Sequence, residues 1–304
     1  LLTWRGERQQ AAALFQRAAM DGLLADPRQR ALEISRDPRK PLSTEPWHTI
    51  LPSSAVGKVL DRFSKETPTI RAEYLKWAKT RAKDAEVDAD GFAAHHVRDK
   101  WKHFWVLRPD FDRGIWNDKC SYKTPKTCAL LKEVNNTGRS GDKLSILRAD
   151  FDVLEPGGLI RPHCHQTDRE TYLWLPLLVP RLGPGGLAPV LRIGGEERSW
   201  AEGQVVVADA TFENEETMPL LPNSADAADH DYAEELRTYY AKHGMEDKIP
   251  TIPEILAKWA GKEEKMMRKL REKYMEGWKG ERVALRLLVR STVLEGSASA
   301  KADL

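Results

Sequence analysis

The sequence has few cysteines, no long apolar run and no excess of charge of one sign, and each absence excludes a class of protein. Three cysteines in 304 residues are too few for the disulfide framework of a small secreted domain. No run of 18 or more apolar residues occurs, so we predict no transmembrane segment within these residues. The 48 basic and 46 acidic residues give a net charge of +2, so no strong field favours nucleic acid or a membrane surface. We therefore predict that neither is a partner.

What is present is sufficient for a substantial core. Hydrophobic residues make up 41% of the chain and ten residues are tryptophan, while the charged fraction of 31% is typical of soluble proteins. A chain of 304 residues holds one large domain or two ordinary ones. The sequence begins at Leu1 rather than at a methionine, which indicates a piece of a longer chain, so a signal peptide or anchor upstream stays open.

Helical periodicity dominates the first hundred residues. Residues 7–24 and 54–85 carry apolar side chains at helical spacing, and Pro68 predicts a break that divides the second segment into two amphipathic helices. We predict that these helices form an outer layer over a sheet. The stretch between the two segments is rich in proline and extended, and Trp47 is predicted to anchor it against the core.

From about residue 101 the pattern changes to that of strands. Short runs rich in Val, Leu, Ile and aromatic residues are separated by Gly, Pro and Asp, which is typical of an antiparallel barrel or a double-sheet jelly roll. The runs are residues 101–107, 142–154, 171–179, 189–195, 204–210 and 283–294. We therefore predict an α+β fold with a mainly β core and flanking helices.

One helical segment, residues 228–282, interrupts the strand pattern. Its second predicted helix carries an apolar stripe among Lys, Arg and Glu residues. The stripe consists of Ile255, Trp259, Met266, Leu270, Tyr274 and Trp278. Two interpretations stay open: the segment packs against the surface of its own domain, or it is a lid or partner-docking hairpin beside a functional site.

Two histidines stand two positions apart in GGLIRPHCHQTDRETYLWLPLLVP, residues 157–180. In an extended strand His163 and His165 would point to the same side, and neutral imidazole is a common ligand of iron, zinc or copper. The same spacing is also typical of a loop that enters a strand. A complete metal site would need a third ligand from elsewhere in the chain.

Four segments together resemble the aspartyl/asparaginyl beta-hydroxylases, and they occur in the order found in that family. The segments are PKTCALL at 125–131, EPGGLIRPHCHQTD at 155–168, RSWAEGQVVVADATFENE at 198–215 and LRLLVR at 285–290. The resemblance implies a double-stranded β-helix, that is, a cupin-like jelly roll, over residues 101–294, with the helical insertion 228–282. Residues 1–100 then resemble the end of a helical-repeat region, and residues 295–304 form a tail.

The resemblance also implies an activity. The family consists of Fe(II)- and 2-oxoglutarate-dependent dioxygenases that hydroxylate the beta carbon of Asp or Asn in a polypeptide. His163 stands where the family has its first iron ligand. Arg286 stands where the family has the arginine that binds the distal carboxylate of 2-oxoglutarate, and a planar guanidinium suits that role because it can hold a carboxylate by two hydrogen bonds.

Several positions depart from the family pattern. Asn214 replaces the second iron-binding histidine, and an amide is a weak ligand for Fe(II). Glu170, Tyr172 and Trp174 replace two arginines and a histidine, where the family's polar side chains contact 2-oxoglutarate, and Asp152 replaces a serine. A carboxylate in place of a guanidinium would repel an anionic cosubstrate unless it is paired or turned away.

The departures leave two main hypotheses, and a variant of the first keeps a metal and the oxygenase class but changes the substrate, with the insertion 228–282 reshaping access. In the first, the chain is a peptide aspartyl/asparaginyl hydroxylase in which His165 and Asp152 join His163 in a set of two histidines and one carboxylate, or in which His230 supplies the missing imidazole. In the second, the jelly roll is catalytically degenerate and binds a polypeptide or protein without turnover.

Cysteine pairing and compartment also depend on the resemblance. The spacing of Cys120 and Cys128 by itself allows a disulfide or two buried reduced thiols. The pair resembles a family disulfide, with one extra residue between the cysteines. Animal relatives lie in the endoplasmic reticulum behind a membrane anchor, whereas bacterial relatives can be cytoplasmic, so the compartment stays open.

Overall fold

The part of the chain that the structure describes contains ten strands. The structure is a computed structural model. It describes residues 8–24, 26–29, 44–79, 101–110, 113–117, 120–135, 144–165, 170–180, 188–219, 231–242, 244–274 and 280–290. The strands are β1 (Trp101–Asp110), β2 (Arg113–Trp116), β3 (Ile146–Leu154), β4 (Leu159–His163), β5 (Glu170–Leu178), β6 (Val190–Ile193), β7 (Glu196–Ser199), β8 (Val206–Asp209), β9 (Asn214–Thr217) and β10 (Arg282–Arg290).

The strands form two antiparallel sheets. The larger sheet has the order β2-β1-β3-β10-β5-β8, and the smaller has the order β4-β9-β6-β7. From β3 to β10 the chain crosses from one sheet to the other at each connection except the β6–β7 hairpin, which is the wiring of a double-stranded β-helix. This confirms the predicted jelly roll. The two sheets face each other without closing into a single barrel.

Helices flank the sheets. They are α1 (Arg8–Met20), α2 (Ala55–Ala78), α3 (Cys120–Lys123), α4 (Pro125–Val134), α5 (Tyr232–Lys242), a 3-10 helix (Glu246–Thr251), α6 (Ile252–Trp259) and α7 (Glu263–Tyr274). Among the described residues, no helix combines the length and the apolar character that crossing a membrane requires.

The helix α2 covers the outer face of the larger sheet, as predicted for this segment, but it is not divided at Pro68. It begins at its N-cap Ser54, whose side chain accepts a hydrogen bond from the amide of Gly57. Proline cannot donate to the carbonyl four residues earlier, but Pro68 lies on the exposed side of the helix. The opposite face packs into the core through Phe63, Ile70, Tyr74 and Trp77. The predicted break was therefore wrong, because packing of this face outweighs the local penalty of proline.

The larger sheet separates two apolar clusters. On β10, Leu285 and Leu287 point outward to the cluster shared with α2, whereas Ala284 and Leu288 point inward. The inner cluster joins both sheets and includes Trp47, which is 5% exposed and is the anchor that the sequence predicts. The inner face is therefore where any enclosed site must lie.

The helical insertion has a small core of its own. Leu236 of α5 and Met267 of α7 are fully buried there, beside Ile252 at the start of α6. The second helix predicted for this segment is wrong as a single element. Gly261, with φ of 75°, separates α6 from α7, and this left-handed conformation is one that glycine adopts readily.

Four positions of the predicted apolar stripe pack in or against this core, namely Ile255, Trp259, Met266 and Leu270. Trp278 and the side chain of Tyr274 lie outside the described residues. A disulfide joins Cys120 at the start of α3 to Cys128 in α4, with 5.6 Å between the Cα atoms, and this confirms the pairing implied by the family resemblance.

Candidate active site

Polar side chains meet inside the jelly roll, on the inner face of the larger sheet and on β9. Each of them is at most 5% exposed. They are His103, Asp150, Asp152, Glu216, Arg282 and Arg286. Their direction follows from strand geometry, because Asp150 and Asp152 alternate along β3 with the outward-facing Phe151 and Val153. Burial of this many ionisable groups requires that they satisfy one another.

The first half of the cluster centres on Asp150. Arg286 lies directly opposite it on β10, and the Nη2 group donates to Asp150 Oδ2 at 3.0 Å while Nε donates to Oδ1 at 3.3 Å. His103 Nδ1 lies 2.8 Å from Asp150 Oδ2 and 3.1 Å from Arg286 Nη2. Arg148 adds a second cation, with Nε 3.5 Å from Asp150 Oδ1. Asp150 is therefore surrounded by donors and positive charge.

These contacts set the charge states. Burial alone would raise the pKa of Asp150, but the Arg286 guanidinium and the His103 hydrogen bond hold it well below its usual range. Burial and the charge of Arg286 lower the pKa of His103, so this ring is neutral in the folded protein at neutral pH. Despite its burial, Arg286 has a raised pKa because of Asp150 and Asp152.

The second half of the cluster centres on Arg282. Its Nη1 group donates to the carbonyl of Asp152 at 2.9 Å and to Asp152 Oδ2 at 3.0 Å. Its Nε and Nη2 groups donate to the two carboxylate oxygens of Glu216. Burial and the negative charge of Asp152 raise the pKa of Glu216 to about 7, because together they outweigh the lowering effect of the Arg282 guanidinium. Trp101 Nε1 also donates to Asp152 Oδ1.

His103, Asp150 and Asp152 are the one group of three potential metal ligands found among the described residues, with ligand atoms within 4.8 Å of one another. Both carboxylates already accept hydrogen bonds from guanidinium groups, and the charges of Asp150 and Asp152 balance those of Arg282 and Arg286. A divalent cation would add two buried positive charges to a balanced set. The contacts therefore describe an ion-pair network of two carboxylates and two guanidinium groups.

The paired strands β4 and β9 bring His163 opposite Asn214. The side-chain amide of Asn214 donates to the backbone carbonyl of His163 at 2.9 Å. His163 Nδ1 lies 2.9 Å from the carbonyl of Arg161, which can only accept, so Nδ1 carries the proton and the ring's lone pair is on Nε2. The ring centre of His163 is 6.3 Å from that of Trp101, which connects it to the polar cluster. The tautomer of His163, with the proton on Nδ1 donated to a carbonyl, is the one that metal-binding histidines commonly adopt.

His165 is held differently. Its Nδ1 group is hydrogen bonded to the carboxylate of Glu170, and its ring meets that of Tyr172 edge-on at 5.1 Å. Glu170 is thus paired with His165, which is one of the conditions under which a carboxylate at this position would not repel an anionic cosubstrate. The set of His163, His165 and Asp152 is not brought together as one group of ligands, because Asp152 is committed to Arg282 and Trp101. His230 lies outside the described residues.

Tyr172 and Trp174 fill the inner face of β5, where the family resemblance implies polar contacts. The two rings stack with centroids 4.8 Å apart, and both side chains are at most 4% exposed. Burial raises the pKa of Tyr172 to about 12, so its hydroxyl stays protonated. These two side chains are therefore uncharged, although Arg286 lies opposite Trp174 on β10.

The match with known sequences covers the part of this site that precedes β10, so Arg282 and Arg286 lie outside it. Residues 64–216, which include β3, β4, β5, β8 and β9, match the family described as Aspartyl/Asparaginyl beta-hydroxylase. The chain belongs to this hydroxylase family. The family assignment agrees with the order of segments seen in the sequence. The matched region includes His163 and Asn214.

Relatives of this family member are distant. The aspartyl/asparaginyl beta-hydroxylase of Mus musculus is 26% identical over 176 residues, and that of Homo sapiens is 25% identical over the same length. Each match covers 57% of this chain and 21% of the relative, so the chain spans about a fifth of the length of these curated proteins.

Solved structures show only a faint likeness. An oxidoreductase of the 2OG-Fe(II) oxygenase family from Burkholderia pseudomallei matches with a TM-score of 0.29 and 15% identity, over 40% of this chain and 61% of that one. A prolyl-4-hydroxylase from Pseudomonas putida matches with a TM-score of 0.34 and 13% identity, over 74% of this chain and 86% of that one.

The hydroxylase family implies iron and 2-oxoglutarate, and the two groups fit these residues unequally. Iron fits at His163, whose Nε2 carries the lone pair, whereas the amide of Asn214 donates to a carbonyl instead of presenting an imidazole. The carboxylate of 2-oxoglutarate does not fit on Arg286 while Asp150 holds that guanidinium. The metal position is thus partly retained, and the cosubstrate position is filled by the chain itself.

Sequence reasoning missed four members of the polar cluster: His103, Asp150, Glu216 and Arg282. A signal was available, because Asp150 and Arg282 keep the strand alternation of their inward-facing neighbours. The alternation does not show how residues of β1, β3, β9 and β10, which lie far apart in the sequence, come together in the fold.

Proposed function

We propose that the chain hydroxylates the side chain of an Asp or Asn residue in a polypeptide, as an Fe(II)- and 2-oxoglutarate-dependent dioxygenase of its family. The observation that supports this proposal is the family match over residues 64–216, which includes the strand pair that positions His163. When bound, iron and 2-oxoglutarate would supply the oxidation of a C–H bond.

The residues of the chain would then have distinct roles. His163 is the proposed metal ligand through Nε2, and His165 is the candidate second imidazole, because its Nδ1 group donates to Glu170 and leaves the lone pair on Nε2. Tyr172 and Trp174 keep water from the inner face of β5. Arg286 would hold a cosubstrate carboxylate only after Asp150 releases its guanidinium. Asp152 is left out of the proposed ligand set because it is bonded to Arg282.

The test is Fe(II) binding and succinate release by the purified protein, with an Asp- and Asn-containing peptide library as substrate. We expect His163→Ala to abolish both signals. Weaker Fe(II) binding in His165→Ala would identify His165 as a metal ligand, whereas unchanged binding would identify it as a neighbour of the site. The variant Asn214→His restores the imidazole of the family pattern opposite His163 and should tighten Fe(II) binding. The hydroxylase proposal fails if the wild-type protein binds Fe(II) no better than His163→Ala and releases no succinate.

A second candidate function has its own support. The side chains at two positions that the family uses for chemistry are hydrogen bonded to other groups of this chain. Asn214 donates to the carbonyl of His163, and Arg286 donates to Asp150. These bonds favour a jelly roll that binds a polypeptide without turnover. In that case peptides from the library bind equally well with and without a metal chelator, and no product accumulates.

A further inference from the structure

Asp150 and Arg286 form a pair that the sheet itself holds in place. They are directly opposite each other on the neighbouring strands β3 and β10, and both are buried, with exposed fractions of 0% and 4%. Two guanidinium nitrogens contact the two oxygens of the carboxylate. Side chains opposite each other in an antiparallel pair stay within reach without any hinge or loop movement.

A carboxylate attached to the adjacent strand is a strong competitor for that guanidinium. It is present at a fixed position, so it loses far less freedom on binding than a ligand from solution. Arg148 and His103 also contact the carboxylate of Asp150 and so keep it in position. A free carboxylate must therefore displace Asp150 and leave its charge buried, which is costly.

We propose that Asp150 is an internal competitor that occupies the carboxylate-binding guanidinium of Arg286 and so weakens the binding of a small free dicarboxylate. The identity of that ligand as 2-oxoglutarate rests on the proposed function. The competition itself rests on the pair of side chains. Asp150 is thus a residue that sets affinity and does not take part in the reaction.

The test is direct binding of 2-oxoglutarate by calorimetry in the presence of a metal chelator, so that turnover plays no part. The variant Asp150→Asn keeps the size of the side chain and removes its charge. We expect it to bind 2-oxoglutarate at least about tenfold more tightly than the wild-type protein does, as is typical when a charged hydrogen-bond partner is released. Glu202→Gln is the matched control, because Glu202 pairs with Arg71 at 3.1 Å outside the polar cluster and should leave this affinity unchanged.

A second measurement covers the case in which Asp150→Asn folds poorly. In Asp150→Ala the guanidinium of Arg286 is left buried without its partner, and acetate at the vacated position should raise the unfolding temperature in a saturable manner. The double variant Asp150→Ala, Arg286→Met should show no such rise. Equal 2-oxoglutarate affinity in wild type and Asp150→Asn overturns the proposal, as does an absence of rescue by acetate. Loss of turnover with rescue intact contradicts only the hydroxylase function.

Discussion

At the scale of single residues, the interior of this jelly roll shows how a hydroxylase fold can keep its polar positions and change their partners. Arg286 keeps the place implied by the family, but its partner is Asp150 from the next strand. Asp152 stands where the family has a serine, and it is neutralised by Arg282. The replacement acid Glu170 is likewise paired, with His165, so both acids that depart from the family pattern have a partner within the chain.

Glu216 gives a prediction at this scale. Its pKa of about 7 in the folded protein exceeds the usual value of 4.5 because it is buried. The folded state therefore binds this proton more tightly, so its contribution to stability is complete below about pH 4.5 and is lost as the pH rises through about 7. We expect Glu216→Gln, which stays neutral, to lack this loss of about 3 kcal/mol.

The measurement is the free energy of unfolding by urea at several pH values between 5 and 8. Two histidines act in the opposite sense, since burial lowers the pKa of His103 and of His48, and their contribution is lost as the pH falls below about 6.5. The difference between wild type and Glu216→Gln cancels these histidines. A difference that stays constant across this range would show that Glu216 does not titrate there.

At the scale of elements, the helix α2 makes a prediction about Pro68. This residue is exposed, and it interrupts the hydrogen-bond ladder without ending the helix. Replacement by alanine restores the missing N–H donor and removes the clash of the proline ring. It also removes the restriction that proline places on the unfolded chain, which offsets part of this gain in stability. We expect Pro68→Ala to raise the free energy of unfolding by about 2 kcal/mol, as measured by urea denaturation. Lys65→Ala, also exposed on α2, should change it by less than about 0.5 kcal/mol, and a loss of stability in Pro68→Ala would contradict this account.

Elements were predictable where burial left a run of apolar residues bounded by turn residues. The strands β3, β5 and β10 are long and nearly fully buried, and each coincides with a predicted run. The strand β7 was missed because all four of its residues are exposed and its sequence, EERS, has no apolar alternation. It pairs with β6 through the turn at Gly194 and Gly195, where both φ angles are positive, and a Gly-Gly pair of this kind is the signal that the sequence offered.

At the scale of the whole molecule, the family pattern located His163 and Arg286 on their strands but gave no account of what surrounds them. The partners of Arg286 come from positions more than 130 residues earlier in the chain, Asp150 and His103. Such contacts depend on which strands become neighbours, and local periodicity contains no information on that. The sequence was therefore sufficient for the jelly-roll fold and for locating His163 and Arg286, but not for four members of the polar cluster or for their pairing.

The separate core of the insertion gives the last prediction. Leu236 and Met267 are buried among residues of α5, α6 and α7, whereas Phe151 belongs to the cluster between α2 and the larger sheet. Removing a buried leucine side chain typically costs 2–5 kcal/mol, so Leu236→Ala should loosen the insertion while the sheets keep their stability. We expect hydrogen exchange, followed by mass spectrometry, to rise in residues 232–274 and to stay unchanged in β3 and β10.

The matched control is Phe151→Ala, because it removes a buried side chain of the main core, where Phe151 packs against Tyr74 at 5.3 Å and Trp77 at 5.8 Å. This variant should raise exchange in β3 and β10, since the two strands share that core. If Leu236→Ala raises exchange in the strands as strongly as in the insertion, the two cores unfold as one unit. The insertion would then be part of the structural support of the site, and the interpretation of it as a lid that moves against a stable jelly roll would fail.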